Sequence, residues 1–150
     1  MRTTNRHGFS LGEILTVIII MGVVLALALP KIGNMNDRNQ MRSAKDGISA
    51  RLAAARAAAI ASGRQSYFII QGDSIQVTAS NGTAQVNKGA ILNLKRNFAV
   101  TVTSPGFTIG FDGRGMTSGS SQRIYFSRNS LRDSICISAI GLINRHGCAQ

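Results

Sequence analysis

The most pronounced feature of the hydrophobic pattern is an uninterrupted apolar run near the start of the chain. Residues 14–29 carry no charged side chain, and Thr16 is the only polar side chain among them. Counted from Phe9, the run extends over 21 residues, and a helix of that length spans about 32 Å. Because the hydrocarbon core of a bilayer is about 30 Å thick, the pattern predicts a membrane-spanning helix.

Three interpretations compete for this run. A secretory signal peptide fits because two arginines precede the run and the small-x-small triplet Ala26-Leu27-Ala28 lies near its end. A plain N-terminal membrane anchor also fits the hydropathy. The third interpretation is a helix that first spans the membrane and later packs against copies of itself.

Glu13 favours the third interpretation. An acidic side chain at a bilayer centre costs about 2.5–3.5 kcal/mol, and a signal peptide gains nothing from that cost. A packing helix gains stability when a cation of a neighbouring chain meets the carboxylate. Cleavage after Gly8 would create such a cation, a free amine on Phe9, about one helical turn from Glu13.

The segment Gly8-Phe9-Ser10-Leu11-Gly12-Glu13, followed by the apolar run, resembles the class III leader of type IV prepilins and pseudopilins. In that family a glycine precedes the cleaved bond, a phenylalanine follows it, and a glutamate occupies the fifth mature position. Gly12 departs from the pattern, since a larger aliphatic residue is common there. Pro30 stands at the end of the apolar stretch, as in the family, and we expect it to kink or loosen the helix because proline lacks the backbone donor.

The resemblance implies a processing and assembly route. A membrane-embedded prepilin peptidase would cut after Gly8 and N-methylate Phe9, and Glu13 would contact the N-terminus of the adjacent subunit, with Pro30 ending the assembly helix. The implied partners are other pilin or pseudopilin subunits, the peptidase and the membrane. The implied location is the inner membrane, crossed once, with the globular domain periplasmic or extracellular, and later the pilus or pseudopilus.

Beyond residue 36 the pattern becomes amphipathic. Apolar residues recur at spacings of three and four, the period of a helix with one buried face; they are Met41, Ala44, Ile48, Leu52, Ala55 and Ala59. Ser62-Gly63 is a natural stop, because glycine readily adopts the left-handed cap. The predicted organisation is a leader at 1–8, an assembly helix at 9–30, an amphipathic stem at 31–63 and a β-rich domain at 64–150.

The rest of the chain alternates short apolar strands with turn residues. Gly72-Asp73 predicts a hairpin and Asn81-Gly82 a tight turn. The predicted strands are 66–71, 74–79, 91–94, 99–103, 107–111, 123–127, 135–139 and 142–144. A long helix followed by antiparallel strands predicts an α+β fold, in which the N-terminal helix packs on a small antiparallel sheet.

The C-terminal half resembles the globular domain of minor pilins of the GspH/FimT type. The residues that carry the resemblance are Phe111-Asp112-Gly113-Arg114-Gly115, the strand around Ile124, Ile135-Cys136-Ile137-Ser138 and Gly141-Leu142-Ile143. They form a pattern of strands and glycines rather than a chemical signature, and major pilins also often carry a C-terminal cysteine pair.

Cys136 and Cys148 lie twelve residues apart near the C-terminus. Two cysteines in an exported domain most simply form one disulfide, which would hold the last hairpin and the tail to the sheet. The alternatives are a pair of free thiols or half of a metal site completed by His146.

The polar residues give little support to catalysis. After removal of the leader, His146 is the only histidine, and the acids are Glu13 and five aspartates. No spacing among them resembles the paired groups of general acid–base catalysis, and the glycine-rich stretch 110–115 lacks the Gly-Lys-Ser/Thr ending of a P-loop. We therefore predict a structural protein with no catalytic residues, no metal and no cofactor.

The chain is strongly basic, with 17 Lys and Arg against 6 Asp and Glu and a formal net charge of +11. Thirteen of the basic residues are arginine, which suits bidentate phosphate contacts. A candidate DNA-binding set crowds the last third of the chain, with Tyr125 and Phe126 interspersed; its members are Arg114, Arg123, Arg128, Arg132 and Arg145. The alternatives are a solvated basic surface or a surface matched to acidic neighbours in a pilus.

FimT-type proteins linked to DNA uptake carry Gly-Arg-x-Arg in a C-terminal loop. The corresponding stretch here is Gly141-Leu142-Ile143-Asn144, which lacks both arginines, and Arg145 follows one place later. A minor pilin or pseudopilin subunit is therefore the first prediction, and a DNA-binding minor pilin for natural transformation is the alternative.

Overall fold

A computed structural model describes residues 10–104 and 106–145, except for the side chains of 28–32. The first helix, α1 (Leu11–Ser62), continues without interruption across position 30. The chain divides into two compact units at the boundary between Asn36 and Asp37. The first unit holds the first part of α1, and the second holds the remainder of α1 and every strand among the described residues.

In the first unit the large apolar side chains are exposed. They are Leu11, Ile14, Leu15, Val17, Ile18, Ile19, Ile20, Met21, Val23, Val24, Leu25, Leu27 and Met35. Within the part of the chain that the structure describes, no helix combines the length and the apolar character needed to cross a membrane. Pro30 has its side chain outside the described set, so its predicted role in assembly stays a prediction.

The second part of α1 buries the predicted stripe. Ala44, Ile48, Leu52, Ala55 and Ala59 are completely buried, and Met41 nearly so. These residues share one hydrophobic core with the largest buried side chains of the strands, which include Phe68, Phe111 and Phe126. This burial confirms the predicted stripe. A spacing of three and four places all six residues on one face of a helix.

Nine strands form two antiparallel sheets among the described residues. The strands are β1 (Ser66–Gln71), β2 (Ser74–Ser80), β3 (Gln85–Asn87), β4 (Leu92–Asn93), β5 (Thr101–Val102), β6 (Thr108–Phe111), β7 (Gln122–Arg128), β8 (Leu131–Ile137) and β9 (Ile143–Asn144). The first sheet has the order β3-β2-β1-β6, with β4 also paired to β2, and the second has the order β5-β7-β8-β9. The α+β fold with a helix packed on antiparallel strands is confirmed, but the strands divide into two sheets where the sequence pattern predicted one.

A short segment connects the two sheets. The Thr117 backbone N–H donates to the Ala139 carbonyl over 3.1 Å, and the Ser118 N–H donates to the Gly110 carbonyl over 3.0 Å. Ala139 follows β8 in the second sheet, and Gly110 belongs to β6 in the first. Backbone hydrogen bonds therefore hold both sheets around the common core.

The predicted helix end and turns are largely confirmed. Gly63 ends α1 with φ +61°, and the Arg64 N–H returns to the Ala59 carbonyl over 3.2 Å, as in a left-handed helix cap. Gly72 makes the β1–β2 turn with φ +57°. The Asn81 side chain accepts from the backbone N–H groups of Thr83 and Ala84, which fixes the turn before β3.

The predicted strand at 91–94 is wrong at both of its ends. Only Leu92–Asn93 is a strand, and a one-turn helix, α2 (Leu94–Phe98), follows it. The Asn93 side chain caps α2 by accepting from the Arg96 N–H over 2.8 Å, and Ala99 ends it in the left-handed conformation. The side-chain cap competes with further strand pairing, since Asn readily bonds to nearby backbone groups.

Candidate functional site

Glu13 lies in the first turn of α1, and its backbone N–H donates to the Ser10 carbonyl over 3.0 Å. It borders a shallow open groove with Ile14, Val17 and Ile18. Its carboxylate makes no ion pair with any of the cations in residues 10–104 and 106–145. Gly8 and Phe9, the predicted cleavage and methylation positions, lie outside the described residues.

The large apolar side chains that follow Glu13 are exposed in the described part of the first unit. Their exposed fractions run from 51% for Leu25 to 81% for Leu11. Thr16 is internally satisfied, because its hydroxyl donates to the Gly12 carbonyl over 2.8 Å. One carboxylate therefore stands at the beginning of a helical surface that is otherwise apolar, which suits packing against other apolar helices or lipid.

The candidate arginines do not form one surface. Arg128 lies between the helix and the β7–β8 hairpin, where its Nε donates to Asp37 Oδ1 over 2.8 Å and its Nη1 donates to the Phe98 carbonyl. Arg145 forms an ion pair with Asp46 of α1. Both guanidinium groups thus join the second sheet to the helix instead of standing free for a ligand.

The sequence pattern did not single out three acidic residues of the helix–sheet contact, namely Asp37, Asp46 and Asp133. Lys45 forms a third ion pair, in which its Nζ donates to both carboxylate oxygens of Asp133 over 2.8 Å. Asp37 continues the spacing of the buried stripe four residues before Met41, Lys45 is half-buried beside the stripe, and Asp46 is exposed. The spacing of Asp37 was the available signal, because it places a carboxylate on the face of α1 that packs on the sheet.

The pKa of the Asp37 carboxyl is lowered from its ordinary value. The hydrogen bond from Arg128 is the main cause, and it lowers the pKa of the Asp37 carboxyl. A second hydrogen bond, from the Asn129 side-chain amide over 2.7 Å, lowers that pKa further. Donors to the ionised form stabilise the charge, so the pair favours the folded domain wherever Asp37 is ionised.

Arg123, Arg132 and Arg114 remain exposed. In the register of the second sheet, Tyr125 faces Ser134 and Ser127 faces Arg132, so Arg123, Tyr125 and Arg132 share its outer face. The Arg123 guanidinium carbon lies 5.7 Å from the centre of the Tyr125 ring, and its Nη1 donates to the Tyr125 hydroxyl over 3.2 Å. Arg123 also lines an open groove of about 330 Å³ with Ser104, Gly106, Phe107 and Gln122.

Arg114 belongs to a different place, the loop after β6. Asp112 organises that loop by accepting from the backbone N–H groups of Arg114 and Met116, both over 2.9 Å. Arg56 of α1 donates from its Nε to the Gly115 carbonyl over 3.0 Å. Sequence reasoning missed Arg56, whose stem position next to the alanine run gave no indication of this contact.

Cys136 is buried on β8, opposite Asn144 of β9 and Arg123 of β7. It is disulfide-bonded and not a free thiol. Cys148 and His146 lie outside the described residues, so the pairing of Cys136 with Cys148 stays a prediction. No cluster of three or more metal-ligating side chains occurs within the described ranges.

The fold and these contacts can be compared with known proteins. A family model described as the type II transport protein GspH matches residues 45–141. No curated protein matches the chain significantly. Among solved structures, the type IV minor pilin FimU of Pseudomonas aeruginosa strain PAO1 is similar, with a TM-score of 0.61 and 18% identity over 75% of this chain and 92% of that chain.

The matched region includes the strand around Ile124, Ile135-Cys136-Ile137-Ser138 and the loop from Asp112 to Gly115, on which the resemblance to minor pilins was based, and it ends at Gly141. The likeness to FimU shows a shared fold over 75% of this chain. The chain belongs to the GspH family of type II transport proteins and has the fold of a type IV minor pilin.

Proposed function

We propose that the protein is a structural minor subunit of a type IV pilus or of a type II secretion pseudopilus, without catalytic activity. It enters a thin filament through the first part of α1, after a prepilin peptidase cleaves the leader behind Gly8 and N-methylates Phe9. The observation that carries the proposal is one carboxylate, Glu13, which forms no ion pair with any described side chain, at the start of a helical surface of exposed apolar side chains.

The apolar surface supports burial between subunits. A soluble monomer rarely exposes an apolar patch larger than a few hundred Å², whereas the first unit exposes large hydrophobic side chains on all sides between Leu11 and Leu27. Before assembly, lipid would cover this segment, which is why we place the subunit in the inner membrane by a single pass. The support for that placement is the uncharged sequence run at 14–29, which extends past the described side chains.

Glu13 supplies a reason for subunit register. A carboxylate among apolar helices is costly unless a cation compensates it. The amine of Phe9 on a neighbouring chain would meet it after cleavage, and only one axial offset between two helices brings the two groups together. Assembly would then neutralise both charges and bury the apolar surface in the same step.

The experiment compares two exposed positions of the same helix. Glu13→Ala should reduce the amount of protein in sheared filaments at least tenfold while the leader is still removed. Thr16→Ala is the control, since the Thr16 hydroxyl bonds only to its own helix, and it should leave incorporation unchanged. Wild-type incorporation of Glu13→Ala would overturn the proposed assembly mechanism.

A second candidate function is DNA binding, and the outer face of the second sheet favours it. Arg123 stacks on the half-exposed Tyr125 ring, and Arg132 shares that face, an arrangement that suits phosphate and base contacts. Arg128 and Arg145 contribute less, because both pair with aspartates of α1.

The DNA test uses the full chain in detergent with a duplex oligonucleotide. Arg123→Ala combined with Arg132→Ala should weaken binding, and affinity should fall by about 0.9 log unit per contacted phosphate for each decade of salt. Lys95→Ala combined with Arg96→Ala removes the same charge from exposed residues of α2 and should have less effect. Absence of binding at low salt would exclude this function.

A further inference from the structure

The second unit uses all its described carboxylates internally. Three of them form ion pairs, namely Asp37, Asp46 and Asp133. Asp73 accepts from the Val102 backbone N–H over 2.9 Å, and Asp112 accepts from two backbone N–H groups of its loop. Residues 37–145 contain 14 Lys and Arg and five Asp, so 14 − 3 = 11 cations remain outside the described ion pairs.

This distribution disfavours contacts between two copies of the domain. Cationic surfaces that meet repel each other, and the repulsion grows when the contact excludes water. The described carboxylates of a second copy are too few to balance the remaining cations, since Asp37, Asp46 and Asp133 are already paired and only Asp73 and Asp112 lack a described cation partner. The chemically matched neighbour is therefore a different polypeptide that presents acidic side chains.

An exposed apolar patch shows where such a neighbour fits. Four large exposed hydrophobic residues surround the contact between the end of α1, the loop after β6 and the turn after β8; they are Ile60, Met116, Ile140 and Leu142. We call them the helix-end patch. Their exposed fractions are 40–56%, and the other exposed large hydrophobic residues described in the second unit are Val86, Ile91 and Tyr125.

Two glycines show that these elements are in contact. A Cβ on Gly115 would lie 2.7 Å from Cδ1 of Ile60, so the Ile60 side chain lies against the loop. A Cβ on Gly141 would lie 2.1 Å from the Gly115 carbonyl oxygen, so the turn that carries Ile140 and Leu142 lies against the same loop. The four apolar residues thus border one small surface instead of being scattered.

The rim of this surface is basic. Arg114 is exposed beside Met116, and no described acid forms an ion pair with it. Arg56 lies next to Gly115 and Gly141, where its Nε donates to the Gly115 carbonyl. The Oδ1 atom of the neighbouring Asp112 accepts hydrogen bonds from two backbone N–H groups. An apolar centre with a charged rim is the usual anatomy of a specific protein interface.

We propose that the helix-end patch docks a different subunit of the same filament, whose contacting surface carries apolar side chains flanked by Asp or Glu. The inference rests on the proposed function as a filament subunit. It adds the surface, the chemistry of the partner and the exclusion of a second copy from that surface. A subunit that meets its neighbour in this way joins two kinds of pilin instead of repeating along a shaft.

The test places a photo-crosslinking amino acid at position 116 or, as a control, at position 91, where Ile91 is exposed but outside the patch. Cells that assemble filaments are irradiated, and the sheared filaments are analysed by mass spectrometry. We expect position 116 to crosslink a different pilin through a peptide containing Asp or Glu, at least fivefold more than position 91. A crosslink to a second copy, or equal yields at both positions, would overturn the inference.

Matched variants separate this inference from the proposed function. Ile140→Glu and Arg114→Glu, made in the protein that carries the crosslinker at position 116, should each lower the crosslink yield at least fivefold, whereas Ile91→Glu should leave it unchanged. Unchanged yields in both patch variants would contradict the docking surface. If the protein with the crosslinker at position 116 is present in the filaments but forms no crosslink, the docking inference fails and the proposed function stands. If the unmodified protein is absent from the filaments, the proposed function fails.

Discussion

Arg128 Nε donates to Asp37 Oδ1 over 2.8 Å although the two residues lie 91 positions apart in the chain. The contact joins the β7–β8 hairpin to α1 where the second unit begins. Asn129 of the same hairpin donates to the other Asp37 oxygen over 2.7 Å. Two further ion pairs, Lys45–Asp133 and Arg145–Asp46, also join α1 to the region of the second sheet.

Acid should destabilise the domain partly through Asp37. Its folded-state pKa is lowered, first by Arg128 and then by Asn129, so its stabilising contribution is present above the unfolded pKa of about 3.9 and is lost as pH falls through the folded pKa. Asp37→Asn should therefore flatten the decline of stability as pH falls below about 4, the ordinary pKa of an aspartate. Asn129→Ala, which removes one of two donors, should have an intermediate effect in chemical unfolding measured across pH.

The same unfolding curves can also contradict the prediction for Asp37. A decline in Asp37→Asn as steep as in the wild type would mean that the Arg128 contact does not persist in solution. A steeper decline would mean that the folded-state pKa of Asp37 is raised instead of lowered.

Gly113 should not tolerate a side chain. A Cβ at this position would lie 2.5 Å from the Gly63 carbonyl oxygen and 2.6 Å from its carbon, and backbone atoms of a helix cap cannot move aside as a flexible side chain can. We expect Gly113→Ala to cost about 1–3 kcal/mol of unfolding free energy, in the range of overpacked cores. Gly33→Ala, where the added methyl meets no atom within 4 Å, should leave the unfolding midpoint unchanged or slightly raised.

Ile48 should contribute more to stability than any exposed isoleucine. It is completely buried in the core beneath the strands, and truncation of such a residue costs about 2–5 kcal/mol. Ile91 has the same side chain but is 58% exposed, so Ile91→Ala should change the unfolding free energy by no more than about 0.5 kcal/mol. Equal losses in denaturant titrations of both variants would contradict the packing of α1 on the sheets.

Cys136 leads to a redox prediction. If its partner is Cys148, reduction should remove the constraint on a loop of about a dozen residues, which is worth about 3 kcal/mol in the chain-entropy model. Cys148→Ser should lower the thermal midpoint as much as a reductant does, and the reductant should have no further effect on that variant. An additional loss in the reduced variant would show that Cys136 has another partner.

The sequence predicted the elements that depend on local periodicity. The stripe from Met41 to Ala59, the stop at Gly63 and the β1–β2 hairpin follow from spacing and turn chemistry, which act over a few residues. The one-turn helix α2 was missed because its cap residues, Asn93 and Ala99, are weak signals in an apolar context. Strand β3 was missed because all three of its residues are exposed and lack an alternating pattern.

The candidate binding residues were harder to predict than the fold. The sequence pattern indicated that Arg128 and Arg145 are free surface charges. In the structure, each pairs with an aspartate of α1 about a hundred positions earlier in the chain. Pairings of that kind depend on the register between a helix and a sheet, which no local pattern encodes. The proximity of Arg123 to Tyr125, in contrast, follows from their spacing of two on one strand.

The account depends most on where the mature chain begins, because Glu13 has a role only if the new N-terminus is close to it. Intact-mass and N-terminal fragment mass spectrometry of the protein recovered from membranes or filaments measures this directly. We expect a chain that starts at Phe9 with one methyl group on its amine and retains Glu13. A chain that starts downstream of Glu13, near residue 29, would contradict the filament assignment.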